Sequence, residues 1–232
     1  MTGMLASVTS VEEALMALEA AVDIIDLKQP AAGALGALDS GLIKQIVREI
    51  NGRCPVSATI GDLPMQPERV FAAAKAMAET GVDYIKIGFF PDGDRQETAA
   101  KLAALTEQQK ALIAVMFADR EIDFSLIDTV KNCGFTGVML DTMNKQKGAL
   151  IEIIDKAVVA RFIQDAKSRQ LICGLAGSLR VQDIPALLAF EPDYLGFRGA
   201  LCAQHVRTSK LSKQALMQVK QAVNAEPFVS IT

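Results

Sequence analysis

The chain has 232 residues, half of them hydrophobic, no tryptophan and a formal net charge of −3. That length buries a sizeable core and suits one large domain or two small ones, while the slight negative charge argues against general binding of nucleic acid or acidic membranes and leaves room for a local basic pocket. Cys54, Cys133, Cys173 and Cys202 stand far apart, with no C-x-x-C pair and no His cluster, so neither a zinc site nor a disulfide framework is expected and buried thiols are.

The N-terminus, MTGMLASV, lacks the basic region of a signal peptide and enters a short apolar run at once, the first predicted strand (4–8). A helical segment opened by Ser10, SVEEALMALEAA, leads to a second strand, VDIIDLK (22–28), which ends on Lys28. The Gly/Ala/Pro stretch that follows, KQPAAGALGALDSG, reads equally well as a flap over a site or as a connector. A third strand, PVSATIG (55–61), precedes the helix PERVFAAAKAMAETG, opened by Pro and closed by Gly. VDYIKIGFF (82–90), ALIAVMFA (111–118) and FTGVMLD (135–141) follow as strands four to six. A long helical segment, IEIIDKAVVARFIQDAKSRQ, separates the sixth from LICGLAG (171–177) and PDYLGFRG (192–199). Met65, Met77 and Met116 read as core filler.

Eight strand and helix units with no intervening linker predict an α/β protein, a single (β/α)8 TIM barrel occupying 1–232 as one domain. The rival, a doubly wound open sheet, usually needs fewer strands. No apolar stretch approaches the ~20 residues of a spanning helix, and a soluble cytoplasmic protein without membrane or nucleic-acid partners is expected. A homo-oligomer is compatible with the sequence.

Strands two, four, six and eight form a weak repeat: VDIIDLK, VDYIKIG, FTGVMLD and PDYLGFR. Alternate strands of a barrel supply the same layers of inward side chains. With the charged positions pointing inward, the last column holds Lys28, Gly88, Asp141 and Arg198 at the C-terminal mouth. Two residues earlier, one layer deeper, stand Asp26, Lys86, Met139 and Gly196. Lys86 therefore points into the lumen, where Asp26 balances its charge. Two lysines this close disfavour each other's protonation, and burial does the same, so one amine is pushed below its reference pKa of about 10.4. A neutral amine serves as a nucleophile toward a carbonyl or as a general base. Asp141 is placed to shuttle protons, and Lys145, four residues on, to reach back over the site. The competing account is a satisfied ion-pair network that plugs the barrel; location at the C-terminal mouth favours chemistry.

GLAGSLR (174–180) and GFRGAL (196–201) end strands seven and eight, where barrel enzymes hold phosphate with backbone N–H groups. Gly177, Ser178 and Gly199 supply close backbone approach, with Arg180 and Arg198 adding charge. His205, the single histidine, reads as a surface or packing residue.

The segments DLKQPAAGALGA, YIKIGFF, MLDTMNK, GLAGSLR and PDYLGFRGALC, in order along nearly the whole chain, resemble the (5-formylfuran-3-yl)methyl phosphate synthases of methanofuran biosynthesis. The resemblance implies a lyase without a cofactor that condenses two glyceraldehyde 3-phosphates, expels phosphate and loses water. It further implies Lys28 as the Schiff-base residue and Lys86 as the proton acceptor, with Asp141 and Lys145 in the site. The alternative is a Schiff-base aldolase acting on another sugar phosphate.

Overall fold

The computed structural model describes residues 1–225. Eight parallel strands close into a barrel in sequence order, each pairing with the next and the eighth with the first. They are β1 (Gly3–Val8), β2 (Ile24–Leu27), β3 (Val56–Thr59), β4 (Tyr84–Gly88), β5 (Ala111–Phe117), β6 (Gly137–Asp141), β7 (Ile172–Leu175) and β8 (Tyr194–Phe197). All eight expected strands are present, and most are shorter than their apolar runs. The excess at the C-terminal ends belongs to loops that turn buried side chains toward the mouth: Lys28 lies just beyond β2, and its N–H still donates to the Val8 carbonyl.

The outer layer carries α1 (Val11–Glu19), α2 (Ser40–Ile50), α3 (Pro67–Ala78), α4 (Arg95–Thr106), α5 (Ser125–Asn132), α6 (Leu150–Ile153), α7 (Lys156–Ser168), α8 (Ile184–Leu188) and α9 (Lys213–Asn224). Local chemistry sets their starts. Ser10, Asp39, Asp94 and Ser212 each accept a backbone N–H of the first turn, and α3 begins on Pro67. Burial on the sheet sets their orientation. In α2 the residues Ile43, Ile46 and Ile50 recur at helical spacing and are fully buried, each stabilising the layer by about 1.5–3 kcal/mol relative to exposure. The helix expected over 151–170 is two, because Ile154 adopts an extended backbone (φ −133°, ψ 150°) and the chain restarts at Lys156.

The lumen is layered as the repeat requires. Met139 fills its centre, and Gly174 and Gly196 make room: a Cβ on Gly174 would stand 2.6 Å from the Met139 methyl. Asp26 and Lys86, in the same column as Met139 and Gly196, form with Ser7 and Ser57 a polar cluster in which all four residues are buried.

The repeat's aspartates have a separate task at the other end of the barrel. Asp23, Asp83 and Asp193 each precede a strand, and each accepts the backbone N–H of a residue at the start of the preceding strand, Met4, Val56 and Cys173, at 2.7 Å. These carboxylates pin three of the parallel seams where the ladder would otherwise leave an N–H unpaired.

Candidate active site

Four elements deliver the charged residues to one place. The end of β2 carries Asp26 and Lys28, β4 carries Lys86, β6 ends on Asp141, and the following loop returns Lys145 one turn later. Asp26 is fully inaccessible. Its Oδ2 accepts from Ser7 Oγ at 2.8 Å, and its Oδ1 accepts from Ser57 Oγ at 2.7 Å and from Lys86 Nζ at 2.8 Å. Burial alone would push this carboxyl up; the Lys86 and Lys28 charges and the hydroxyl hold it below the usual range. Ser7 and Ser57 carry no recognisable motif, and only the barrel register, in which both stand opposite Asp26, identifies them as its partners.

Asp141 Oδ1 accepts from Lys145 Nζ at 2.5 Å and from the Thr142 N–H at 2.7 Å. Burial opposes its ionisation, but Lys145 and Lys28 overcome that and hold its pKa at about 2. Lys86 and Lys145 are thus each committed to a carboxylate, and Lys28 is not. Lys28 is 6 % exposed, and its amine has no hydrogen-bond or ion-pair partner among the described residues. Burial brings its pKa down to about 8, with Lys145 and Lys86 adding to the fall and Asp141 and Asp26 opposing it. An amine in that range is a nucleophile near neutral pH.

A cavity of about 450 Å³ opens over these groups, with Lys28, Lys86, Asp141 and Lys145 on one side and the loops after β7 and β8 on the other. Gly177 and Ser178 both have positive φ, 113° and 50°, and a Cβ on Gly177 would stand 2.7 Å from the Thr142 methyl, so glycine is required there. The N–H groups of Gly177, Ser178 and Leu179, and those of Gly199 and Ala200, have no acceptor among the described residues, and all five residues line the cavity. Clustered free amides of this kind suit an anion.

The two arginines expected beside these loops are otherwise engaged. Arg198 is buried, and its five N–H groups go to Glu13 Oε1 and Oε2 and to the carbonyls of Ser7, Arg207 and Ser209. It leaves no donor for a ligand, and the expectation that it contributes charge to an anion is corrected: Arg198 braces the loop after β8. Glu13 completes the brace by also accepting from the N–H groups of Thr9 and Leu211. Arg180 is more exposed and pairs with Glu152 and Asp183, which keeps it at the rim. Both arginines line the cavity, as does Arg207, which the sequence did not single out.

The stretch after Lys28 is an anchored rim. Asp62 accepts from the N–H groups of Ala34 and Leu35, Thr59 Oγ1 donates to the Gly36 carbonyl, and Gln29 N–H donates to the same carbonyl. His205 is exposed at the cavity's edge. Among the described residues no group of three or more His, Cys, Asp or Glu is placed to hold a metal ion, and no helix is long and apolar enough to cross a membrane.

The chain is similar to known proteins over nearly its whole length. A family profile described as 4-HFC-P synthase matches residues 4–220. A relative from Methylorubrum extorquens, which bears the name (5-formylfuran-3-yl)methyl phosphate synthase provisionally, is 37% identical over 224 residues, 97% of this chain and 92% of that one. Relatives bearing the same name outright, from Methanosarcina mazei and Methanocaldococcus jannaschii, are 33% and 31% identical, covering 89% and 94% of this chain and 93% and 98% of their own. Among solved structures, 3-hexulose-6-phosphate synthase from Salmonella typhimurium superposes with a TM-score of 0.69 at 15% identity, covering 96% of this chain and 98% of that one. Phosphoribosyl anthranilate isomerase from Thermus thermophilus superposes with a TM-score of 0.67 at 14% identity and the same coverage. These two likenesses are of fold.

Proposed function

The chain belongs to the 4-HFC-P synthase family, and from that premise we propose that it condenses two glyceraldehyde 3-phosphates on Lys28 to form (5-formylfuran-3-yl)methyl phosphate. The observation that carries the residue assignment is the unpaired, nearly buried amine of Lys28, with a pKa of about 8, between two satisfied ion pairs. Lys28 adds to a substrate carbonyl, and loss of water leaves a cationic iminium that acidifies the neighbouring carbon. Removal of that proton gives an enamine, which attacks the second aldehyde to form the new carbon–carbon bond. Atom balance then requires one phosphate and, in total, two waters to leave before the product is an aromatic furan, and hydrolysis of the iminium returns the Lys28 amine.

The neighbours divide the remaining work. A carboxylate held at about 2 is a weak base, so Asp141 acts chiefly by stabilising the iminium charge. Lys86 is the proton carrier, with Asp26 compensating its charge from the protonated side. The substrate phosphates are held by the free amides after β7 and β8. The activity belongs in the cytoplasm, where separate thiols stay reduced.

Borohydride reduction in the presence of glyceraldehyde 3-phosphate is expected to add substrate mass to the peptide containing Lys28. A label found only on Lys86 would reverse the two roles. The product separates this chemistry from that of a Schiff-base aldolase: a furan absorbs in the near ultraviolet, and a linear aldol product does not.

A further inference from the structure

Among the described residues, the cavity retains one guanidinium with no carboxylate paired to it. Arg207 is half-buried and lines the cavity. Its Cβ would stand 4.0 Å from a Cβ placed on Gly199, and its Nη2 donates to the Gly33 carbonyl at 3.0 Å in the loop after β2. The guanidinium therefore bridges the loop after β8 and the loop after β2, past the end of β1 that lies between them, and the loop after β2 begins at Lys28. That single bond uses one of its five N–H groups. No carboxylate among the described residues lies within ion-pair distance of it. The two that act on it most from farther away are committed elsewhere, Asp62 to the amides of Ala34 and Leu35 and Asp141 to Lys145.

Apart from Lys28, the other lysines and arginines of this mouth are matched: Lys86 by Asp26, Lys145 by Asp141, Arg180 by Glu152 and Asp183, and Arg198 by Glu13. Arg207 is also built in. Its own carbonyl accepts from Arg198 Nε at 2.8 Å, so the Glu13–Arg198 brace fixes the main chain from which it projects. Partial desolvation of an always-charged group without a counter-charge is costly, and burial duly works against its protonated form. A phosphate resting on the free amides of Gly199 and Ala200 would supply the missing charge and accept the spare donors in the fork geometry a guanidinium favours.

We propose that Arg207 is the cationic ligand of a substrate phosphate, closing over the anion held by the Gly199 and Ala200 amides and placing that substrate above Lys28. The proposal rests on the Schiff-base reading, in that it names the group that recognises the phosphorylated end of the aldehyde Lys28 attacks.

The test compares borohydride trapping of glyceraldehyde 3-phosphate with that of unphosphorylated glyceraldehyde on the full chain, with Arg207→Met and Arg207→Lys beside the wild type. The wild-type preference for the phosphorylated sugar is expected to fall by about tenfold to a hundredfold in Arg207→Met, the range of one or two charge-assisted hydrogen bonds. It should fall less in Arg207→Lys, which keeps the charge and loses the fork. A preference that survives in Arg207→Met overturns the proposal, whether both rates hold or both fall together. The second case would mean that Arg207 only straps the loops after β8 and β2 together through Gly33. If the wild type forms no adduct at Lys28 with either sugar, the Schiff-base reading fails, and calorimetric titration with inorganic phosphate decides Arg207 independently. Binding weakened by about tenfold or more in Arg207→Met supports its role, and equal affinity overturns it.

Discussion

Lys86 sits at the junction of two accounts of the lumen, since its pairing with Asp26 at 2.8 Å suits a structural plug as well as a proton carrier. Replacement by arginine separates them. A guanidinium keeps the charge opposite Asp26 and does not deprotonate near neutral pH, so Lys86→Arg should fold and still form the trappable adduct at Lys28. If Lys86 moves protons, turnover to the furan should drop by on the order of a hundredfold or more. Near-normal furan production by the folded variant would leave Lys86 as electrostatic support alone. The inward placement of both lysines was legible in the sequence, because a charged residue in an otherwise apolar strand has few places to point. Which lysine stays unpaired was not, because that depends on where Ser7, Ser57 and Lys145 place their donors around the two carboxylates.

At the scale of the element, the aspartates that open β2, β4 and β8 are seam pins with no part in the chemistry. They lie at the barrel end away from the mouth, and each closes a ladder by accepting an amide of the neighbouring strand. Asp193→Ala should leave the N–H of fully buried Cys173 without an acceptor and cost about 1–3 kcal/mol in urea unfolding, with the borohydride adduct at Lys28 retained in the folded variant. An unchanged unfolding midpoint would mean that water replaces the carboxylate. The repeat that set the register in the sequence thus combines two layers of information: its second position holds the barrel together, and its inward positions near the mouth carry the site. Loop and helix detail was less legible. The break at Ile154 falls inside an unbroken helical pattern, because periodicity records which face is apolar and not whether the backbone is continuous.

For the whole molecule, the site has a cost in stability that pH should reveal. The Lys28 pKa is about 8 in the folded chain against a reference near 10.5. Below pH 8 both states carry the proton, and the folded state bears the penalty of a buried ammonium. Between pH 8 and about 10.5 the unfolded chain binds more protons than the folded one, so this group's contribution to stability rises with pH across that window. Lys28→Met removes the penalty. It should be more stable than the wild type at pH 7 by on the order of 2–3 kcal/mol, a gain of several degrees in Tm for a barrel of this size, and the advantage should shrink toward pH 10. A difference in Tm that stays flat from pH 7 to pH 10 would mean that the Lys28 amine is not desolvated as the structure has it.

The sequence by itself determined the eightfold alternation, the inward columns of Asp26, Lys86 and Asp141, and the glycine loops after the last two strands, because strand pleat and barrel layering convert residue spacing directly into direction. Only the tertiary structure decided how the cations are shared out. Arg198 and Arg207 are nine residues apart, alike in type and both at the cavity, yet one is paired with Glu13 in the first turn of the chain's first helix and the other has no carboxylate partner among the described residues. Sequence spacing carries no information about partners 185 positions away, and a guanidinium's availability to a ligand depends on which acceptors the closed barrel brings within reach of its five donors.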